Sequence, residues 1–353
     1  LRGAELAVAE RPVLNVDGRP FAVRLEVLED LCSPEGGQAA ANRFVADPQV
    51  VAVVGPMCSS GCRAAAPIFD AAGFTTISPS CTNSDLTSGA FHSFNRLVVS
   101  DSVQGVVAAE FIYQELGITR IATLHDGSPY GEDLVRKVAE QFTQLGGIVV
   151  AQDAINVGDD DFRALLEDLG RESPELIYFA GFALEAARLS EQRVDARLDR
   201  VLFMGADGIN TQDFIYFAGP ASDGVYASAS IPVRDETFDR FLARYVEAYG
   251  ENPPGPYHAN AYDAAQLILD GVEHVATLSS DGMLQVDRAA FAAYVRTVHD
   301  RQGLTGTINA AGNGELLGTA DIAIVRVSDG RFIQVAVGRV RDNNVMITRT
   351  ESP

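Results

Sequence analysis

Five short segments concentrate residue types able to hold a small charged molecule. Met57-Cys58-Ser59-Ser60-Gly61 and Ser78-Pro79-Ser80-Cys81-Thr82-Asn83 combine hydroxyls with backbone N–H groups at the starts of helices, a setting that favours an anion such as a carboxylate. Asp126-Gly127-Ser128-Pro129-Tyr130-Gly131 and Gly181-Phe182 each place an aromatic ring at the end of an apolar run, and Gly205-Ala206-Asp207-Gly208 places a carboxylate there. An acid between glycines suits a cation. Ser, Thr and Asp also cap helices, so each loop taken alone reads equally well as local structure.

Groupings for catalysis are missing from the sequence. It contains no GxSxG elbow, no GxxxxGK[ST] phosphate loop, no HExxH and no GxGxxG, and its five histidines (His92, His125, His258, His274 and His299) are scattered. The chain is therefore expected to be no enzyme and to carry no cofactor and no metal. Its 27 basic and 48 acidic side chains give a net charge of −21, which opposes nucleic-acid phosphates and anionic lipid surfaces. No run of 18 apolar residues occurs.

The four cysteines, Cys32, Cys58, Cys62 and Cys81, all lie in the first quarter of the chain. Four cysteines allow three pairings, and the sequence alone does not choose among them. Disulfides would imply an oxidising compartment; free buried thiols or a metal site are the other readings, the last weakened by the absence of any CxxC.

The elements that must position these loops follow from periodicity. Phe21 to Leu28 alternates like a half-buried strand, Ala39 to Val45 has helical spacing, Val50 to Val54 reads as a buried strand, a helix carries Ala64 to Phe69, and Phe74 to Ile77 is a short strand. A second series repeats the order. It runs as helix Ser102 to Leu116, strand Arg120 to Leu124, helix Tyr130 to Leu145, strand Ile148 to Ala151, helix Asp160 to Leu169, strand Leu176 to Phe179, helix Ala183 to Ser190 and strand Val201 to Met204. This alternation predicts two doubly wound α/β sheets, whose ligands sit beyond the carboxyl ends of the strands. After a strand at Gly224 to Ser230 the alternation breaks. Three helical stretches follow in a row, Glu236 to Tyr249, His258 to His274 and Asp287 to Val298, and then strands Ala320 to Val327 and Phe332 to Val337 flank Asp329-Gly330. The chain must return to cover an earlier sheet. Leu1 to Glu10 reads as an amphipathic helix with no strand before it, so an opening strand and its loop are expected to be absent from this chain.

The segments LRGAELAV, GPMCSSGCRAAAPI, ISPSCTNSDL, DGSPYGEDL, FMGADG and GPYHANAYDA, in this order, resemble the type I periplasmic binding proteins, specifically the branched-chain amino-acid binding proteins of ABC importers. The resemblance covers nearly the whole chain. It implies two Rossmann-like lobes joined by three crossover segments near Ser100, Ser230 and Ala310, closing over a ligand like a Venus flytrap. Lobe one would hold residues 1–100 and 231–310, and lobe two 101–230 and 311–353. By the resemblance, Ser59, Ser80 and Thr82 hold an α-carboxylate, Asp207 an α-ammonium, and Tyr130, Phe182 and Tyr257 wall the pocket. Phe182 lacks the hydroxyl of the tyrosine often found at its position. Cys32 and Cys58 match a disulfide of some relatives, and Cys62 with Cys81 looks like an added pair tying the two ligand loops together.

The implied function is capture of an apolar or aromatic amino acid, or a related carboxylate, for delivery to an importer permease. The implied protein is a monomer in the periplasm or outside the cell, with or without a lipid anchor, that binds no nucleic acid. The alternative is a ligand-sensing receptor domain of the same fold for amino acids, amides or aromatic acids. The sequence contains no helix-turn-helix or membrane segment that favours it.

Overall fold

Leu176–Ala180 shows how the second series folds: all five residues are buried, and they alternate between two apolar cores. Ile177 and Phe179 enter one core with Leu124, Phe203 and Val325; Leu176, Tyr178 and Ala180 enter the other with Ile121, Met204 and Ile324. Burial on both faces is what a doubly wound strand requires. The computed structural model describes residues 1–230, 234–317, 321–341 and 344–350. The chain divides into two compact units. The first comprises Leu1–Val98, Pro232–Pro253 and Tyr257–Thr319, and the second Val99–Ile231, Pro254–Pro256 and Ala320–Pro353.

The second unit is built on an eight-stranded sheet. From one edge its order is Asn344–Arg349, Arg331–Arg341, Asp321–Ser328, Tyr226–Ser230, Leu202–Gly205, Leu176–Ala180, Arg120–His125 and Ile148–Ala154. The last five strands run parallel and the first three pair antiparallel. Asp329 and Gly330, both at positive φ, turn the hairpin between Asp321–Ser328 and Arg331–Arg341, as the Asp-Gly pair predicts. The predicted strand began at Ala320, which lies outside the described residues. Helices Asp101–Glu110, Pro129–Gln144, Arg163–Arg171, Ala183–Asp195 and Gln212–Ala218 complete this unit. Because the parallel strands share one carboxyl edge, the loops at 126–131, 181–182 and 205–208 emerge together.

In the first unit, Val53–Val54, Thr76–Ser78 and Phe94–Arg96 form a parallel sheet. Helices Arg2–Glu10, Pro34–Ala46, Ser59–Ala71, Glu236–Tyr249, His258–Val275 and Arg288–Thr297 pack around it. Ile77 and Leu97 share a core with Leu267, Phe291, Val295 and Ile308, so the second and third of the three consecutive helical stretches return to cover the sheet begun earlier, while the first, Glu236–Tyr249, packs Phe238, Phe241 and Tyr245 with Leu6 and Ala259. Helix Arg2–Glu10 lies so close to His258–Val275 that a Cβ on Gly3 would sit 2.0 Å from the His258 carbonyl oxygen.

Two expectations change. Phe21 to Leu28 is not one strand; Val13–Val16 and Arg19–Ala22 form a hairpin, and residues 23–28 pair with no strand among the described residues. Alternation marks a half-buried surface, but a ladder also needs a neighbouring strand, and after the Val23 N–H bonds to the Pro12 carbonyl at 2.8 Å none accompanies this stretch. The last crossing, expected near Ala310, comes later. Glu315 bonds buried Arg96, and Leu316–Leu317 pairs with Gly306–Ala310, so 311–317 belongs to the first unit. Residues 231–233, beside the crossing expected near Ser230, lie outside the described set.

Candidate ligand-binding site

On the first unit, strand Val53–Val54 delivers the chain into the 55–58 turn, and helix Ser59–Ala71 starts with Ser59 buried. Strand Thr76–Ser78 delivers the neighbouring loop, and the two loops are sewn together by short contacts. Fully buried Ser78 donates its hydroxyl to the Pro56 carbonyl at 2.8 Å and accepts from the N–H groups of Ser80 at 3.3 Å and Cys81 at 3.0 Å. Ser80 Oγ donates to the Met57 carbonyl at 2.6 Å. The Asn83 N–H donates to Ser59 Oγ at 3.3 Å, and Thr82 is buried beside it in sequence. Disulfides join Cys62 to Cys81, linking helix and loop, and Cys32 to Cys58, anchoring the turn before the helix. Asp30 reinforces that anchor by accepting the Met57 N–H at 2.7 Å and the Cys32 N–H at 2.9 Å. Ser59, Ser80 and Thr82 are thus brought together, but a hydroxyl has one proton to give, and that of Ser80 goes to Met57.

On the second unit, Ser128 caps helix Pro129–Gln144 by accepting the Gly131 N–H at 3.0 Å, with Pro129 at the first helical position. Asp126 accepts the Ser128 N–H at 3.0 Å and hydroxyl at 2.6 Å, while its other oxygen is buried with no hydrogen-bond partner among the described residues. Burial holds this carboxyl above the usual carboxylate range, against the opposing pull of the Ser128 bonds. The cap aims Tyr130 at Asp207. The phenol donates to Asp207 Oδ1 at 2.8 Å and accepts the Gly208 N–H at 3.2 Å. Gln104, on helix Asp101–Glu110, donates to the same Oδ1 at 2.8 Å and to the Ser228 carbonyl and hydroxyl, both at 3.2 Å. The Phe182 ring lies 5.7 Å from that of Tyr130 and is 37% exposed. Gly208 is required here, because a Cβ would fall 2.3 Å from the Gly181 carbonyl oxygen. Tyr130, Phe182 and Asp207 therefore converge: a carboxylate fixed by two donors, beside aromatic surface. Tyr257 opens helix His258–Val275 in the first unit, half-buried.

The family model described as periplasmic binding protein matches residues 1–331. The chain belongs to the periplasmic binding protein family. A leucine-, isoleucine-, valine-, threonine- and alanine-binding protein of Pseudomonas aeruginosa is 31% identical over 289 residues, 81% of this chain and 76% of that protein. A solved leucine-binding protein of Thermotoga maritima is 26% identical, with a TM-score of 0.83 over 95% of this chain and 92% of that one. The substrate-binding protein of a Streptococcus pneumoniae branched-chain amino-acid transporter, solved with isoleucine, has the same fold at 21% identity, with a TM-score of 0.80 over 99% of this chain and 93% of that one. The family is one of solute-binding proteins rather than enzymes, and no helix among the described residues is long and apolar enough to cross a membrane.

In this binding protein, sequence reading passed over Asp30, Gln104, Ser228 and the pair Arg96 and Glu315, and it named Ser78 only as one hydroxyl of its loop. Gln104 had a signal, being a long polar side chain one turn into a helix whose neighbours Gly105, Val107 and Ala108 are small or apolar. Such a group is placed inside only where it meets polar partners.

Proposed function

We propose that this protein captures an α-amino acid with an apolar side chain and presents it to the permease of an ABC importer. The carboxylate docks on the first unit at Ser59 and Thr82 with the backbone N–H groups of their loops; Ser80 acts by bracing those loops. The ammonium meets Asp207 on the second unit, and Tyr130, Phe182 and Tyr257 wall the side chain. The observation that carries the reading is Asp207: a buried carboxylate held by the Tyr130 hydroxyl and the Gln104 amide, beside a partly exposed ring. A fixed anion in such a place suits an ammonium, and hydroxyls with helix-end amides suit the anion at the other end of a zwitterion. Relatives named for leucine, isoleucine and valine support the apolar side chain.

The two disulfides support action in an oxidising compartment, the periplasm or the cell exterior. We place the protein there as a monomer working with a permease. Calorimetry with leucine, isoleucine, valine and benzoate tests the reading. Binding of an aliphatic amino acid supports it; binding of benzoate alone would replace the ammonium partner with a purely carboxylate ligand.

A further inference from the structure

Behind the 78–83 loop of the first unit lies Arg96, fully buried. Its Nη1 donates to three successive carbonyls, those of Cys81 at 3.2 Å, Thr82 at 2.8 Å and Asn83 at 2.8 Å. Its Nε meets both carboxylate oxygens of Glu315 at 3.1 Å, and Nη2 donates to Glu315 and to Thr87 Oγ1, the latter at 2.8 Å. Thr87 in turn donates to Glu315 Oε1 at 2.7 Å. All three guanidinium nitrogens are engaged, which makes the burial of this charge tolerable. A planar fork is needed to serve a carboxylate on one side and a row of carbonyls on the other.

The consequence for the loop is geometric. Across a planar trans peptide the C=O and N–H point in opposite directions, so drawing carbonyls 81, 82 and 83 onto Arg96 turns the N–H groups of Thr82, Asn83 and Ser84 away from it. The Asn83 N–H reports where they face, because it meets Ser59 Oγ. The Cys62–Cys81 disulfide fixes the position of residue 81; the guanidinium holds the two following peptides by their carbonyls, while Ser59 holds the first of them by its N–H. It also places positive charge behind three aligned peptide dipoles.

We propose that Arg96, held by Glu315 and Thr87, is a positioning residue that turns the 81–83 loop into a carboxylate receptor without touching the ligand. This rests on the reading that the ligand carboxylate docks beside Ser59 and Thr82. The test compares leucine with leucinamide, which lacks the negative charge, on the full chain carrying Arg96→Met, Arg96→Lys or no change. The ratio of the two affinities isolates carboxylate recognition, whereas mere loosening of the fold lowers both together. Arg96→Met is expected to reduce the wild-type preference for leucine by about 10-fold or more, the loss typical of a charge-assisted contact, with Arg96→Lys between the two. An unchanged ratio in a folded Arg96→Met protein overturns the proposal.

A ligand-free readout covers poor folding of that variant. In Arg96→Lys the amide resonances of Thr82, Asn83 and Ser84 should move while those of Gly131 and Gly208 in the second unit stay; no movement overturns the assignment. Wild-type protein that binds benzoate and not leucine transfers the same test to benzoate and benzamide. Wild-type protein that binds no carboxylate overturns the proposed function, and this assignment with it.

Discussion

Replacing Asp207 separates its part in binding from its part in stability. In Asp207→Asn an oxygen still accepts from Tyr130 and Gln104, so the bonds that hold the site, both 2.8 Å, can persist while the charge is lost. In Asp207→Ala the Tyr130 hydroxyl and the Gln104 amide both lose that acceptor; the amide keeps Ser228, whereas the bond the phenol accepts from the Gly208 N–H does not serve the proton it had donated. The stability cost of the alanine variant should therefore be that of a buried donor deprived of its acceptor, about 1–3 kcal/mol, and that of the asparagine variant should be smaller. Binding should suffer more. Removing one partner of a desolvated charge pair costs about 2–5 kcal/mol, so leucine affinity should fall roughly 30-fold or more in both variants. Calorimetry with leucine and with 4-methylpentanoate, which is leucine without its amine, isolates the ammonium. The loss should appear with leucine and be nearly absent with 4-methylpentanoate. Equal losses for the two ligands, or unchanged leucine affinity, would refute the ammonium role.

Three further outcomes follow from the same geometry. Replacing either cysteine pair by serine should lower stability by about 3 kcal/mol, from closing loops of 19 or 26 residues, read from the urea midpoint with and without reductant; an unmoved midpoint would contradict the cross-link argument. Ser80→Ala removes the brace to Met57 and should cost about 1 kcal/mol of stability while leaving leucine affinity within a few-fold, so a tenfold or greater affinity loss would make Ser80 a direct contact. Burial raises the Asp126 carboxyl above its unfolded value, so its contribution to stability is present at low pH and lost as pH rises through the folded value. Asp126→Asn should accordingly gain stability relative to wild type at pH 7, with the difference shrinking as pH falls through the carboxylate range; a difference that does not vary with pH would remove burial as the cause.

Much of the second unit was legible because its strands are buried on both faces and announce themselves as apolar runs closed by turns. Leu176–Ala180 and Leu202–Gly205 are within a residue or so of their predicted ranges, and the loops after them carry Phe182 and Asp207. The first unit was harder to read. Its parallel strands are two or three residues long, too short to show a period, and Phe94–Arg96 has Asn95 and Arg96 at buried positions, which pattern reading excludes from a core. Arg96 is buried because Glu315, 219 residues away in sequence, supplies its counter-charge. Pairings of that range leave no local trace, and the same holds for Asp30 with Met57 and Gln104 with Asp207. The hydroxyl-rich loops were found from composition, but which hydroxyls brace and which remain for a ligand depended on distances. Ser78 and Ser80, alike in sequence, both serve as braces, while Ser59 accepts from the facing loop.

The central claim is recognition of both charged ends of an α-amino acid, and the wild-type protein alone can test it. Thermal unfolding with leucine, 4-methylpentanoate and leucinamide, each at the same concentration, compares the zwitterion with molecules missing one end. Leucine at about 100 times its dissociation constant should stabilise the protein by about 2.7 kcal/mol, with much smaller effects from the other two. Stabilisation by 4-methylpentanoate equal to that by leucine would contradict the account.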